Sequence, residues 1–496
     1  MTSVPSPAIS DDRATESRGG YLVWGIFVLG FLIRVALIVA YPALYGGDTV
    51  LRLVNHHRIL MSHQLPLLQV LIYAGYVVKD DPYTSRLIMS LIGAGAGVGF
   101  YAMSSRLITR RAALFAAMFF LTNPFLLEIS IVPYQEILML GTLCFAAYFY
   151  LQGRIAWCSI CLALACFARY EAWLACPLFA AAYAAARPRR WKDIAIACLL
   201  FGWAPLVWIL GHFGLSSPGS FVIEVPHSPL RLIRWIYIGW ITVKDTPIPV
   251  LLCAGLFVGF AERAGLYREK FIRYVAVFAA LFCIAILLSA HGETRNGGTD
   301  AERFVTSREA TFAVAIVILL AGAGLQAMST LRRGRLAVGI LAGSGILLGF
   351  YQSARFIRQQ AGQPDVQLAY RLARFIDTNL SSSENISIVT KPISAQDINL
   401  FLDKARQTGG KAGWQRAQAN LRELNIPPLD CGRTIAQTRL GRTHISCAEA
   451  INDQADWLAV WNDAPLSPQL ASDLQKFRII NKLREGSLEI TIYRRV

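Results

Sequence analysis

Long runs of apolar residues alternate with short polar segments through the first 351 residues of the chain. A helix of about 20 apolar residues spans the ~30 Å hydrocarbon core of a bilayer, so each run is a candidate transmembrane helix. The pattern predicts an α-helical polytopic membrane protein with about eleven transmembrane helices. The runs lie at residues 21–40, 84–104, 112–128, 134–151, 155–168, 171–186, 194–213, 248–261, 273–290, 310–328 and 336–351.

Basic residues cluster in the polar segments between these runs. Even numbers of runs separate successive clusters, so all clusters fall on one side of the membrane, which the positive-inside rule identifies as the cytoplasm. The N-terminus is then cytoplasmic, and the region after the last run is extracytoplasmic. The clusters between spans explain the net charge of +16 better than a nucleic-acid surface does. They are Arg106/Arg110/Arg111, Arg187/Arg189/Arg190/Lys192, Arg263/Arg268/Lys270/Arg273 and Arg332/Arg333/Arg335.

A shorter apolar run, Leu65–Val78, bears on this topology. As a helix it is ~21 Å long, which is less than the ~30 Å needed to cross the hydrocarbon core. The length favours a helix that lies in the membrane interface. If the run did cross the bilayer, the loop over residues 41–64 would be cytoplasmic.

The composition changes at both ends of the chain. Residues 1–20 are polar and rich in Pro and Ser, which predicts a disordered cytoplasmic tail. Residues 352–496 mix helix-like and strand-like stretches, separated by turn residues. We therefore expect a transmembrane domain over residues 21–351 and a small extracytoplasmic α/β domain over residues 352–496. The strand-like stretches are Ile386–Val389, Trp457–Trp461 and Ser487–Tyr493, and the helix-like ones are Tyr370–Leu380, Ala395–Arg406 and Trp414–Leu424.

The sequence predicts no metal ligands. His56, His57 and His63 lie close together but have no cysteine or acidic ligands at suitable spacing, so substrate contact or plain surface is favoured over a metal site. A cofactor requirement, including a divalent cation, is left open. Cys431 and Cys447 lie in the polar C-terminal region, where a disulfide between them is one expectation for an extracytoplasmic domain.

Asp48 is the candidate catalytic residue. It follows two glycines just beyond the predicted outer end of the first span. Close to lipid, a carboxylate is less well solvated and therefore more basic, which suits it to accept a proton from an attacking hydroxyl. The alternative is structural, because Asp48 precedes the helical-looking stretch Val50–Met61 and aspartate is a favoured N-cap. The residues alone leave both interpretations open.

A set of motifs in the first 190 residues resembles the GT-C superfamily, the polytopic enzymes that take sugars from polyprenyl-phosphate carriers. Protein mannosyltransferase-like and aminoarabinose-transferase-like members belong to it. The resemblance implies that Asp48 is the catalytic base. Many members have a second acidic residue beside it, whereas this chain has Thr49, which puts a two-carboxylate metal scheme in doubt. The motifs are Gly47-Asp48, Leu65-Pro66-Leu67, Arg86, Asn123-Pro124, Glu136 and Ala168-Arg169-Tyr170-Glu171-Ala172-Trp173.

Charged residues at predicted outer ends of spans are candidates for substrate binding. Glu136 opens the fourth span, where it either complements the helix dipole or lines the site, and Glu128 is a weaker candidate. Arg169 and Glu171 lie between two apolar stretches, where charges are costly and mark either a function or a structural contact that closes a helical hairpin. Their i,i+2 spacing does not favour a direct pair on one helix. Arg169 is expected to face a phosphate.

The predicted outer loop over residues 291–309 adds three further candidates. Arg303 and Arg308 lie near the next span, where a guanidinium can stabilise the phosphate left by a departing lipid carrier. Simple solvation of these arginines is the alternative. His291 is either a second polar contact to the substrate or a hydrogen-bonded interface residue.

Together the residues and the resemblance predict a glycosyltransferase that moves a sugar from a polyprenyl-phosphate donor to a glycan, lipid or protein acceptor hydroxyl. A single displacement at the outer face would invert the anomeric carbon. The resemblance places the protein in the inner (plasma) membrane, with its C-terminal domain periplasmic or extracellular. Two rival interpretations are a transporter or flippase for lipid-linked sugars and a scaffold for envelope polysaccharide assembly. The absence of internal sequence repeats counts against the transporter.

Overall fold

In the computed structural model of the chain, the residues described are 13–41, 52–53, 59, 65–79, 82–185, 191–215, 239–240, 242–260, 269–289, 310–331, 334–361, 367–368, 371–372, 375, 379, 386–389, 436–437, 443–446, 456–462 and 468–496. Helices follow one another as far as residue 361. They are α1 (Arg13–Ala40), α2 (Pro66–Val78), α3 (Pro82–Ser104), α4 (Arg110–Thr122), α5 (Pro124–Ile131), α6 (Gln135–Leu151), α7 (Ile155–Ala168), α8 (Ala175–Ala185), α9 (Trp191–Leu215), α10 (Ile248–Phe260), α11 (Glu269–Ser289), α12 (Thr311–Ser329) and α13 (Gly334–Ala361).

Each predicted apolar run coincides with a helix or with two consecutive helical segments. By length and composition, five of the described helices are able to cross a membrane, or six if the bent pair α4–α5 is one span. The described part of the chain also holds shorter apolar helices, among them α2, α6 and α7. The structure thus confirms a largely helical, apolar architecture, and the count of about eleven spans stays a prediction.

The third predicted span is broken. The axes of α4 and α5 differ by 60° at Asn123, which has an extended backbone (φ −68°, ψ 129°). Pro124 disfavours a helical conformation at the residue before it, and the Asn123 side chain accepts hydrogen bonds from the backbone N–H groups of Phe125 and Leu126 at 3.1 Å. Asn123 therefore ends one helix and caps the next.

Glycines of α3 allow neighbouring helices to approach closely. An added Cβ at Gly97 would lie 2.5 Å from a Leu121 methyl carbon, and one at Gly99 would lie 2.9 Å from the Phe145 ring. At Gly93 the same atom would lie 2.6 Å from Arg34 Nε and 2.5 Å from the Cβ of a serine on α5. The small-residue spacing of α3 thus serves helix packing.

The chain forms two compact units. The first comprises Met1–Leu37, Ser62–Leu67 and Met89–Ala354, and the second comprises Ile38–Met61, Leu68–Ile88 and Arg355–Val496. The second unit thus combines the C-terminal region with two segments from the N-terminal part of the chain. The predicted domain that begins at residue 352 does not include these two segments.

The C-terminal region contains a six-stranded mixed sheet with the order β2-β3-β1-β4-β6-β5. The strands β3, β1 and β4 are parallel, and the pairs at both edges are antiparallel. Three predicted strand-like stretches coincide with strands of this sheet, two of them with the same bounds and Ser487–Tyr493 within two residues at each end, which confirms a small C-terminal sheet. The strands are β1 (Ile386–Val389), β2 (Ala436–Gln437), β3 (Thr443–Ser446), β4 (Trp457–Trp461), β5 (Phe477–Glu485) and β6 (Leu488–Arg495), and a short helix, α14 (Pro468–Asp473), precedes β5.

The hairpin of β5 and β6 turns at Gly486, whose φ of 58° is in the left-handed region that glycine adopts readily. Lys482 donates to the Glu489 carboxylate at 2.9 Å, and Arg484 donates to the other oxygen of the same carboxylate. These hydrogen bonds lower the pKa of Glu489 to about 2, with Lys482 as the largest cause. The carboxylate therefore keeps its charge well below neutral pH.

Candidate functional site

The structure brings together three of the predicted site residues. The Arg169 Nε donates to both oxygens of the Glu171 carboxylate, at 3.0 and 2.9 Å. Its two terminal nitrogens donate to Glu136 and again to Glu171. Glu136 is only 2% exposed, whereas Arg169 and Glu171 are 22% and 14% exposed. We call these three residues the charged cluster.

The charged cluster forms where a helix ends. Arg169 follows α7 and has an extended backbone (φ −148°, ψ 146°), and the 3₁₀ helix Tyr170–Leu174 begins immediately after it. On a continuous helix, residues two apart point in different directions. Because Arg169 is not helical, the carboxylate of Glu171 folds back onto its guanidinium. The expectation that this spacing disfavours a direct pair on one helix does not apply here, because the helix ends before Arg169 and the two side chains pair directly.

Glu136 reaches the same place from the first turn of α6. At that position its negative charge also complements the partial positive charge of the helix N-terminus. The charged cluster thus joins the start of α6 to the end of α7, two neighbouring antiparallel segments. With two carboxylates and one guanidinium it carries a net charge of −1. A phosphate at Arg169 has to compete with both carboxylates, and a phosphate facing Arg169 stays a prediction.

Several predicted site residues lie outside the described residues. They are Asp48, His291, Arg303 and Arg308, together with His56, His57 and His63 and the cysteines Cys431 and Cys447. The role of Asp48 as the base and the Cys431–Cys447 disulfide therefore stay predictions. Within the described part of the chain, no group of three or more His, Cys, Asp or Glu side chains is arranged to hold a metal ion.

Sequence reasoning missed a fully buried arginine in the first span. Arg34 lies six residues before the end of α1 and donates to the Ser130 hydroxyl at 2.7 Å and to the Gly30 carbonyl at 2.9 Å. Ser130 is in the last turn of α5, so the guanidinium lies at the negative end of that helix dipole. The available signal was a single charge within an apolar run, and such charges usually have a function or a partner.

A half-buried carboxyl group, Asp245, was also missed. It lies three residues before α10, and its backbone carbonyl accepts a hydrogen bond from the Asn123 side chain at 3.2 Å. Burial raises the pKa of the Asp245 carboxyl, and the neighbouring Lys244 opposes this shift. The signal in the sequence was an acidic residue next to a predicted span end, the same kind of position that drew attention to Glu136.

Comparison with known proteins identifies the fold. No family model and no curated protein sequence matches the chain. Among solved structures it is similar to ArnT from Cupriavidus metallidurans bound to undecaprenyl phosphate, with a TM-score of 0.55 and 12% identity over 95% of this chain and 98% of that one. The apo form of ArnT gives a TM-score of 0.52 and 13% identity over 97% and 98% of the two chains.

A third similar structure is the oligosaccharyltransferase AglB from Archaeoglobus fulgidus in complex with an inhibitory peptide and a dolichol-phosphate. It has a TM-score of 0.47 and 12% identity, over 78% of this chain and 64% of that one. The similarity to ArnT extends over nearly the whole of both chains. The chain therefore has the fold of ArnT.

Proposed function

We propose that the protein is a membrane glycosyltransferase that takes a sugar from a polyprenyl-phosphate donor. The observation that carries this proposal is the fold, which is similar over 95% of the chain to ArnT bound to undecaprenyl phosphate. A second observation supports it. The charged cluster, which includes the buried Glu136, lies at span ends within an otherwise apolar helical region, and charges in such positions usually belong to functional sites.

In the proposed reaction, Asp48 removes the proton from the acceptor hydroxyl as that oxygen attacks the anomeric carbon of the sugar. The bond between this carbon and the phosphate oxygen breaks in the same step, which inverts the configuration. The polyprenyl phosphate leaves with the bonding electrons. Arg303 and Arg308 are the proposed partners of its negative charge, and His291 is a further polar contact.

The charged cluster has a different part in this proposal. Its two carboxylates, Glu136 and Glu171, are hydrogen-bond acceptors suited to the hydroxyl groups of a sugar or acceptor. Arg169 holds both carboxylates in place, which keeps their like charges together at the end of α7. The C-terminal domain is proposed to bind the acceptor on the outer side of the inner (plasma) membrane. The N-terminus is proposed to lie on the cytoplasmic side.

The test is sugar transfer by the full-length protein in proteoliposomes. Radiolabelled undecaprenyl-phosphate sugars are supplied as a panel, with an envelope extract as the source of acceptors, and transfer is the movement of label out of the lipid phase. The wild type should transfer at least one of these sugars. Asp48→Asn should lower the rate by at least ~10²-fold, because asparagine cannot take a proton but retains the ability to cap a helix.

The matched control is Asp473→Asn in the C-terminal region, which removes a surface carboxylate paired with Lys476 and should leave the rate unchanged. Full activity of Asp48→Asn would exclude Asp48 as the base. Movement of intact donor across the bilayer with no transfer would instead favour a flippase. If the protein neither transfers the sugar nor moves the donor across the bilayer, but binds envelope polysaccharide enzymes, the scaffold is favoured.

A further inference from the structure

Two buried polar side chains bind the backbone on either side of the segment over residues 42–51. Arg86, which is 0% exposed, donates from both terminal nitrogens to the carbonyl oxygen of Tyr41, each at 3.3 Å. Gln69, which is 1% exposed, donates to the carbonyl oxygen of Arg52 at 3.1 Å. Both ends of this ten-residue segment are thus held by side chains from later helices.

The contact at Tyr41 is suited to an arginine. Tyr41 follows the last residue of α1, so its carbonyl has no helical N–H partner and lies at the negative end of the helix dipole. The planar guanidinium of Arg86 satisfies this oxygen with two nitrogens at once. The same guanidinium lies over the ring of Tyr83, 5.7 Å from its centroid, which fixes its orientation.

The two helices that carry Arg86 and Gln69 are packed directly on each other. An added Cβ at Gly75 of α2 would lie 3.0 Å from the hydroxyl oxygen and 3.1 Å from the backbone nitrogen of Ser85 in α3. The Ser85 hydroxyl also donates to the carbonyl of Ile72 at 3.4 Å. With no side chain at Gly75, the helices approach closely, and Arg86 and Gln69 belong to one packed block.

We propose that this block is a frame that positions the segment carrying Asp48, which makes Arg86 and Gln69 positioning residues of the transferase site. The frame consists of α2 and the first two turns of α3, joined at Gly75 and attached to Tyr41 and Arg52. The inference rests on the proposed function, in which Asp48 is the base. Its physical reason is that a displacement of about 1 Å between a base and its substrate can lower a rate by about 10²-fold.

The frame is tested by removing each attachment while keeping side-chain length. Arg86→Met and Gln69→Met remove the donors to Tyr41 and Arg52. Hydrogen–deuterium exchange of peptides covering residues 41–53 is measured on the full-length protein in nanodiscs. Sugar transfer is measured with the radiolabelled undecaprenyl-phosphate sugar that gives the highest wild-type rate. We expect faster exchange in both variants and a fall in kcat of about 10- to 100-fold, with the donor KM within about twofold of wild type.

Two further variants separate positioning from general damage. Arg86→Lys keeps the charge but loses the planar fork, so its kcat should lie between those of the wild type and Arg86→Met. Gln326→Met is the matched control, because Gln326 also ties a turn through its side chain, accepting from the backbone N–H of Thr109 at 2.7 Å. It should leave both kcat and exchange at residues 41–53 unchanged.

Unchanged exchange in both frame variants would overturn the proposal, and so would faster exchange with a wild-type kcat. If Arg86→Met does not fold, Gln69→Met carries the same test. Failure of the proposed function gives a different result, since the wild type would then transfer no sugar, or Asp48→Asn would transfer it at the wild-type rate. The exchange measurement in that case still reports whether the frame holds residues 41 and 52.

Discussion

The charged cluster makes a sharp prediction about stability. Arg169→Met removes the guanidinium that binds Glu136 and Glu171 but keeps a long apolar side chain to fill the space. The Glu136 carboxylate, which is 2% exposed, then loses the guanidinium that donates to it in the charged cluster. The two carboxylates are also left close together without the cation between them. We expect this variant to be less stable than one in which the buried charge is removed as well.

The magnitude follows from burial. Removing one partner of a fully buried ion pair costs about 3–5 kcal/mol, because the remaining charge is uncompensated. Arg169 is 22% exposed and Glu171 14% exposed, so water screens part of this effect, and we expect roughly 2–3 kcal/mol. Glu136→Gln together with Arg169→Met should cost less than the sum of the single changes, with a coupling of about 1–2 kcal/mol.

The assay is a double-mutant cycle on the purified protein, followed by thermal unfolding in detergent. Arg154→Met is the control. Arg154 is exposed and precedes the N-terminal end of α7, whereas Arg169 follows the C-terminal end. It should leave the melting temperature close to that of the wild type. Additive effects of Glu136→Gln and Arg169→Met, or a stable Arg169→Met protein, would refute the reasoning that the buried carboxylate depends on this arginine.

Three other predictions concern packing, pH and the donor. Gly93→Ala should destabilise the protein by about 1–3 kcal/mol, because the added Cβ overlaps neighbouring side chains. Gly95→Ala is the control, because a Cβ there meets nothing within 4 Å, and it should leave the stability unchanged. The melting temperatures of the two variants are compared. The difference in melting temperature between the wild type and Glu489→Gln should be constant above pH 4.5 and disappear as the pH falls towards 2. The reason is that the stabilisation from the lowered pKa of Glu489 is lost when the carboxylate is protonated. A difference that persists at pH 2 would contradict this prediction. Arg303→Ala and Arg308→Ala should each weaken binding of undecaprenyl phosphate by about tenfold, measured by native mass spectrometry, and unchanged binding would remove them as phosphate partners.

Much of the helical architecture is predictable from the sequence, because burial in a bilayer demands long apolar runs and the chain marks their ends. The run over residues 155–168 coincides with α7, and a charged residue stands directly before and directly after it. The strands Ile386–Val389 and Trp457–Trp461 were also predicted with their observed bounds, since β-branched and aromatic residues concentrate there. In each case the information is local.

The strand β5 was missed for a physical reason. It is an edge strand whose residues are mostly exposed, so neither face imposes an alternation of polar and apolar positions. A bulge between Ile479 and Asn481 also shifts its register. The adjacent isoleucines Ile479 and Ile480 are both exposed, and the period of two that marks a strand is lost there.

The charged cluster was predictable in its members but not in its contacts. Charges at span ends pointed to Glu136, Arg169 and Glu171 separately. Their direct pairing depends on the extended backbone at Arg169, a local conformation that the apolar pattern does not specify. The contact of Arg34 with Ser130 was not predictable, because Ser130 lies 96 residues away and no local pattern marks such a contact.

The break at Asn123 has a consequence for the order in which the protein assembles. Pro124 and the asparagine cap act as soon as this part of the chain is made. Two hydrogen bonds in the described part of the chain connect the break to much later sequence. Asn123 binds the carbonyl of Asp245, 122 residues further on, and the carbonyl of Thr122 accepts from Ser353, 231 residues further on. Synthesis runs from the N-terminus, so the bend forms early in the nascent chain but gains its last tether only when ribosomes have passed the final span.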